Sequence, residues 1–275
     1  MNKTKIEWCD YTWSPITGCF GVNGKICSYC YARNIANRFG LAYAPILGDP
    51  GMEGAAKWDS EEEGMDSMLE LSEPYISYDG NRNNYPMGFN PTFHRYRLDE
   101  PAKMKKPQNI FVCSMSDLFG KWVPDEWIKA VFEACEKAPQ HRYLFLTKNI
   151  ERYSDLINKK NLPAQGNFWF GTTSTNEDDE FWTSSTSHHK SFVSIEPLMS
   201  GGVDFRSMAY WSDWVIVGAE TGNRKDKVIP KREWVADIVN ACGISLTPIF
   251  MKNSLKDIWG EPLIQEYPWD VENES

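Results

Sequence analysis

What this chain lacks narrows its class before any motif is weighed. No stretch of its 275 residues approaches the ~18 consecutive apolar residues that a membrane-spanning helix needs. Residues 1–10 carry Lys3, Lys5 and Glu7 and no apolar core of signal-peptide type, so a cytoplasmic protein with no membrane partner is expected. Histidine is scarce, at four residues. His188 and His189 sit in a Ser/Thr-rich connection that reads as solvated surface. No Cys or His follows Cys30 closely enough to close a four-ligand zinc site. There is no internal repeat, no low-complexity tract, and no basic helix or aromatic-basic strip of a nucleic-acid binder. Seven cysteines, an odd number unevenly spaced in a long chain, argue against a disulfide framework and for metal or redox chemistry.

What is present begins with Cys19, Cys27 and Cys30, spaced C-x7-C-x2-C on a short Gly-containing segment. Cys-x-x-Cys lets two sulfurs converge on one metal or cluster, and the longer arm lets the chain wrap round with a third. Three thiolates are what a cubane iron-sulfur cluster needs when one iron stays open to a small ligand.

The net charge of −9 is unevenly spread. Residues 40–88 hold ten Asp/Glu against Lys57 and Arg82, and the segment from Ile264 adds four acids with no Lys or Arg, which leaves +3 on the rest. The overall acidity therefore does not exclude a phosphate-bearing substrate, for which Arg33, Arg38, Arg95 and Arg97 are the basic candidates.

Apolar, β-branched and aromatic runs predict strands at 6–12, 92–98, 110–115, 143–147, 168–172, 192–196, 214–219 and 248–251. Most are nearly continuously apolar, the pattern of parallel strands covered on both faces. Helical periodicity falls between them at 28–39, 124–137, 150–158, 177–187 and 231–242. The expectation is an α/β fold, a complete or partial (β/α) barrel of TIM type, with a doubly wound open sheet as the alternative. Residues 1–263 would form one barrel domain, 40–88 an acidic insertion or lid after the first βα unit, and 264–275 an acidic tail.

In such folds ligands sit at the carboxyl ends of strands. The polar residues expected there are Ser114, Ser116, Asp117, Thr147, Lys148, Thr172, Thr173, Ser174, Glu196, Glu220 and Lys252. Ser, Thr and Asp at such ends are also common helix caps, so Asp117 and Thr147 have a purely structural reading. Glu196 and Glu220 follow strongly apolar strands and need cationic partners, for which Lys148, Lys252 and Arg224 are available. Alternation along 92–98 would send Arg95 and Arg97 to one face and His94, read as a hydrogen-bonded structural residue, to the other. Trp8, Trp13 and Trp122 fall near strand ends and could line a pocket for a flat substrate.

Several blocks together carry a family resemblance. Ile6-Glu7-Trp8, Thr12-Trp13-Ser14-Pro15, Thr17-Gly18-Cys19 and Cys27-Ser28-Tyr29-Cys30-Tyr31-Ala32 resemble the opening of a phage and prophage family of unassigned function with a three-cysteine motif. Ser114 to Phe119, Leu146-Thr147-Lys148, Ser194 to Leu198 and Val215 to Gly222 resemble its later blocks, and the resemblance implies a phage or prophage setting. Cys27-x-Tyr29-Cys30 also resembles the second half of the radical S-adenosylmethionine (radical SAM) signature, and Cys30-Tyr31 resembles the spore photoproduct lyases.

That likeness implies a 4Fe-4S cluster on Cys19, Cys27 and Cys30, with Tyr29 packed over it. S-adenosylmethionine (SAM) would chelate the open iron, and one-electron cleavage to methionine and a 5'-deoxyadenosyl radical would follow. An electron donor such as flavodoxin or ferredoxin and a nucleotide or DNA substrate are the implied partners. The sequence departs from the signature in having seven rather than three residues between the first two cysteines, and it has no Gly-Gly-Glu element. Ser114, Ser116 and Asp117 are the candidates for that element's role. Thr147, Lys148, Glu196 and Glu220 are further cofactor-binding candidates, and Glu196, Glu220 and Lys252 are the catalytic ones.

Two other readings stand beside it. Cys9 or Cys113 could supply a fourth ligand and close a non-catalytic structural zinc or Fe-S site. Alternatively, Glu196, Glu220 and Lys252 could perform metal-independent acid-base chemistry with the cysteines incidental.

Overall fold

The nearly unbroken apolar runs become parallel strands buried on both faces. The computed structural model describes residues 1–40, 56–58, 68–77, 79–183, 188–260 and 262–271. A short strand β1 (Asn2–Lys3) pairs antiparallel with β2 (Tyr11–Trp13). Two-residue β3 (Ile16–Thr17), β4 (Ala56–Trp58), β5 (Met68–Leu71) and β6 (Thr92–His94) form a separate four-stranded sheet in the order β3-β6-β5-β4. Then come β7 (Asn109–Val112), β8 (Arg142–Thr147), β9 (Phe168–Thr173), β10 (Lys190–Ile195), β11 (Val215–Val217) and β12 (Ile249–Met251). The large sheet is eight-stranded, in the order β1-β2-β7-β8-β9-β10-β11-β12.

This is an open, mostly parallel sheet, and no closed barrel is present among the described residues. From β2 onward each strand is added on the same side as the last. That one-directional winding lacks the order reversal of a doubly wound sheet.

The segment 92–98 corrects one expectation. Its strand ends at His94, pairs with β3 and β5, and continues as a 3-10 turn at Arg95–Arg97. The strand period therefore does not govern Arg95 and Arg97. The place of that strand in the large sheet is taken by β1, whose two residues carry no apolar signal. Likewise 6–10 is not strand, and no helix forms in 177–183; the remainder of 177–187 lies outside the described residues up to His188.

Helix α1 (Tyr31–Phe39) begins at Cys30, whose sulfur accepts from the Arg33 N–H, and buries Ala32 and Ala36. Helix α2 (Asp125–Glu136) has Asp125 and Glu126 in its first turn, where the dipole favours them, and buries Trp127, Val131, Phe132 and Cys135. Helix α3 (Glu151–Asn158) follows β8, α4 (Phe205–Trp211) follows β10, and α5 (Arg232–Ser245) follows β11. Short helices α6 (Lys256–Trp259) and α7 (Pro268–Val271) complete the described chain. Among the described residues no helix is long and apolar enough to cross a membrane.

The chain has two compact units. One comprises 1–5, 9–145 and 151–162; the other 6–8, 146–150 and 163–275. In the first, Phe119 packs on Phe132, Phe145 and Tyr153. In the second, Trp214 lies against the rings of Trp8, Phe192, Phe250, Tyr267 and Trp269. Tyr267 and Trp269 come from the segment read as an acidic tail, and Glu266 accepts from the Ile249 N–H, so this part of the tail is built into the second unit.

Candidate functional site

The cysteine loop follows β2 and β3 in the first unit and is bound to the loop after β7. Gly18 donates its N–H to Met115 O at 3.0 Å, and the Ser116 hydroxyl donates back to Gly18 O at 2.5 Å. The Cys19 N–H donates to Phe89 O at 3.0 Å. Gly18 (φ +84°) is required here, because a Cβ would lie 2.3 Å from Asn90 O. Gly21 (φ +78°) is equally constrained, its Cβ position being 2.1 Å from Lys25 O, across the turn in which Val22 and Lys25 exchange backbone hydrogen bonds.

All three loop thiols are half-buried. Cys19 Sγ accepts from the Gly21 N–H at 3.1 Å, and Cys30 Sγ accepts from the Arg33 N–H at 3.4 Å. Burial pushes the Cys19 thiol up to about 12, with the charges of Asp117, Cys30 and Cys27 adding to it and the Gly21 N–H opposing. Burial also raises Cys30, against the Arg33 N–H and with Cys27 adding. The three sulfurs thus lie within one another's field. Among the described residues no group of three or more His, Cys, Asp or Glu side chains is drawn together at metal-ligand separation.

The donor set nonetheless fits a sulfur-ligated cluster in kind. Three thiols share one glycine-shaped loop, two already receive backbone N–H bonds, and Cys30 sits at the positive end of α1. The sulfurs are not at metal-ligand separation, and Cys19 would have to lose a proton to act as a ligand.

The serines expected at SAM are bonded to the loop and its flanks. Besides Ser116, the Ser114 carbonyl accepts from the Tyr31 hydroxyl at 2.5 Å, and the Ser114 and Ser14 hydroxyls are 3.4 Å apart. Asp117 Oδ1 accepts from the Phe119 N–H at 2.9 Å, a turn cap, while its charge acts on Cys19. Tyr29 is half-buried on the loop. Tyr31 escaped the sequence reading because Cys-Tyr in a motif does not reveal what a phenol reaches. Trp8, Trp13 and Trp122 are core residues rather than pocket walls; Trp122 packs edge-on against Phe20 of the loop. Cys9 is buried in the turn before β2. Cys113 is buried just past β7 at φ +57°, its thiol pushed to about 12 by burial, and its charge acts on core Cys135.

In the second unit the expected pairings form. Lys252 donates to Glu196 Oε1, and Gly218 lies between them: a Cβ there would meet Lys252 Cδ at 3.0 Å and Glu196 Cγ at 3.4 Å. The backbone fixes this cluster, with Lys252 N–H to Val217 O at 2.9 Å, Gly218 N–H to Ile195 O at 3.2 Å, and Leu198 N–H to Gly218 O at 2.8 Å after a cis Glu196–Pro197 peptide. Arg224 clamps Glu220 with two bonds of 2.6 and 2.7 Å and holds its carboxyl below the usual range. Thr147 accepts from the Asn149 N–H in the turn after β8, Thr172 accepts from the Trp182 N–H, and Lys148 is half-buried. His189 is not solvated; it packs on Phe170 and Trp182.

No curated protein and no solved structure matches this chain. Residues 3–263, nearly its whole length, match the family described as "Protein of unknown function (DUF5131)", and the chain belongs to that family.

Proposed function

We propose that this chain is a radical SAM enzyme whose 4Fe-4S cluster is held by Cys19, Cys27 and Cys30. The observation that carries the reading is the loop: three half-buried thiols in one another's field, two of them accepting backbone N–H bonds, on a turn that only glycine can make. When bound, the cluster would supply one electron to the sulfonium of a chelated SAM, giving methionine and a carbon-centred radical. The chain's own residues fix the loop. Ser116 and Met115 hold Gly18, Tyr31 ties the start of α1 to Ser114, and the α1 dipole favours a thiolate at Cys30.

Within the second unit the Glu196–Lys252 pair is the candidate for binding an ionic ligand, because Glu196 can exchange its lysine for a cationic group and Lys252 its carboxylate for an anionic one. Glu220, tied at both oxygens, is assigned a positioning role. The one-directional winding supports a partial barrel.

The test is anaerobic turnover with a chemical reductant and SAM, reading 5'-deoxyadenosine by chromatography. Product is expected from the wild type and none from the Cys19/Cys27/Cys30 triple-alanine variant. Undiminished product from that variant contradicts the assignment.

A further inference from the structure

A second feature of the first unit is not explained by the cysteine loop. Arg82 and Arg97 both lie against the Tyr96 ring, their guanidinium carbons 5.0 and 5.5 Å from its centroid. The ring is fixed from beneath: Tyr96 OH is 3.0 Å from His94 Nδ1, and His94 Nε2 is 2.9 Å from Thr17 Oγ1, in a histidine with no exposed surface. The Arg97 fork is fixed as well, with Nη1 donating to Ser14 O at 2.9 Å and Nη2 to Asn84 Oδ1 at 2.6 Å. Its remaining N–H groups, and all those of the Arg82 side chain, have no hydrogen-bond partner among the described residues. Neither arginine forms an ion pair there. Arg95, the neighbour that the sequence put on a par with Arg97, is by contrast paired with Glu70.

Two guanidinium groups held on one ring repel each other, and His94, buried and depressed further by both charges, adds no neutralising group. A lone carboxylate would satisfy one fork. Two guanidinium groups with several spare donors suit a phosphate group, ester or diester, whose non-bridging oxygens can accept from both. The acceptors that orient Arg97 are neutral, so its charge is presented pre-organised and uncompensated within the described residues.

We infer that Arg82 and Arg97, mounted on Tyr96, bind a phosphate group, that of a free nucleotide or of a single-stranded nucleic-acid backbone. The site is joined to the cysteine loop by continuous backbone. Arg97 is bonded to Ser14, which precedes β3, and Phe89, between the two arginines, accepts from the Cys19 N–H. The inference goes beyond the cluster assignment and does not depend on it.

The test is equilibrium binding of a fluorescent single-stranded oligonucleotide, with a nucleoside 5'-monophosphate as competitor, to the full chain as purified. The Arg82→Ala variant is decisive, because Arg82 is exposed and, among the described residues, its side chain makes no hydrogen bond beside its contact with the Tyr96 ring. It should weaken binding about tenfold and reduce the slope of log K against log salt by about 0.7. Arg97→Lys, which keeps the charge but loses the fork, should weaken it less than Arg97→Ala. Lys129→Ala, an equal loss of charge at an exposed position of α2, should change little. Competition by the monophosphate at concentrations near the oligonucleotide affinity assigns a free nucleotide, and failure to compete assigns the backbone. Wild-type protein that binds neither probe, or Arg82→Ala binding as Lys129→Ala does, overturns the inference.

Discussion

Gly21 and His94 show how much of this protein is decided at single residues. At Gly21 a side chain would need both a left-handed backbone and space that the Lys25 carbonyl already fills. Gly21→Ala is therefore expected to cost about 1–2 kcal/mol locally and to abolish iron retention, read as iron per chain after reconstitution. The three cysteines were legible because their spacing carries chemistry, whereas this requirement was not, since Gly in a loop signals freedom without naming the obstacle. His94 was legible as a bonded structural residue. Burial, then Arg97 and Arg82, holds it well below the usual 6.5, so the folded chain resists protonation while the unfolded chain accepts it. Its contribution to stability is thus complete above about pH 6.5 and is lost as pH falls below that value. Between pH 7 and 5 the wild type should lose about 2 kcal/mol more than His94→Gln in urea unfolding. Parallel loss in both proteins would remove His94 as the cause.

Among elements, α1 separates structure from chemistry at Cys30. Serine is a better N-cap than cysteine, so Cys30→Ser should keep the Arg33 N–H bond and leave the unfolding midpoint within about 0.5 kcal/mol, yet lose the cluster. Cys30→Ala should lose both the cap and the metal. Helix α5 ends with Leu246 in the left-handed region at φ +57° and 88% exposed, where glycine costs nothing sterically. Leu246→Gly is expected to raise stability by about 1 kcal/mol, measured by thermal unfolding. The strands β7 to β12 could be read because each buries both faces and so declares itself as an apolar run. The four-stranded sheet could not. Its β3 is two residues long, and β6, although it falls in the segment 92–98 read as a strand, pairs with β3 and β5 rather than in the large sheet. Segment 92–98 has strand composition throughout, but Arg97 is pulled toward Ser14 and Asn84, and the chain turns after His94.

For the molecule as a whole, periodicity found seven of the large sheet's eight strands and could not say which strands are neighbours. Eight strands were expected and eight form the large sheet, but one is a two-residue antiparallel edge and the sheet is open. In the segment read as an acidic tail, four acids outweigh two aromatics in any composition count, which hides the packing of those aromatics. Tyr267 and Trp269 lie 5.8 and 5.2 Å from Trp214, and Trp269 is buried. Trp269→Ala should therefore destabilise the protein by about 3–5 kcal/mol in denaturant unfolding, a loss too large for a solvated tail residue.

The central claim is that the loop of Cys19, Cys27 and Cys30 carries a cluster with one iron open to SAM. Electron paramagnetic resonance of the anaerobically reconstituted, reduced protein, before and after adding SAM, tests it most directly. The account predicts about four irons and four sulfides per chain and a reduced-cluster signal that shifts when SAM is added. A signal that SAM leaves unchanged, or a cluster retained by the Cys19/Cys27/Cys30 triple-alanine variant, would contradict it.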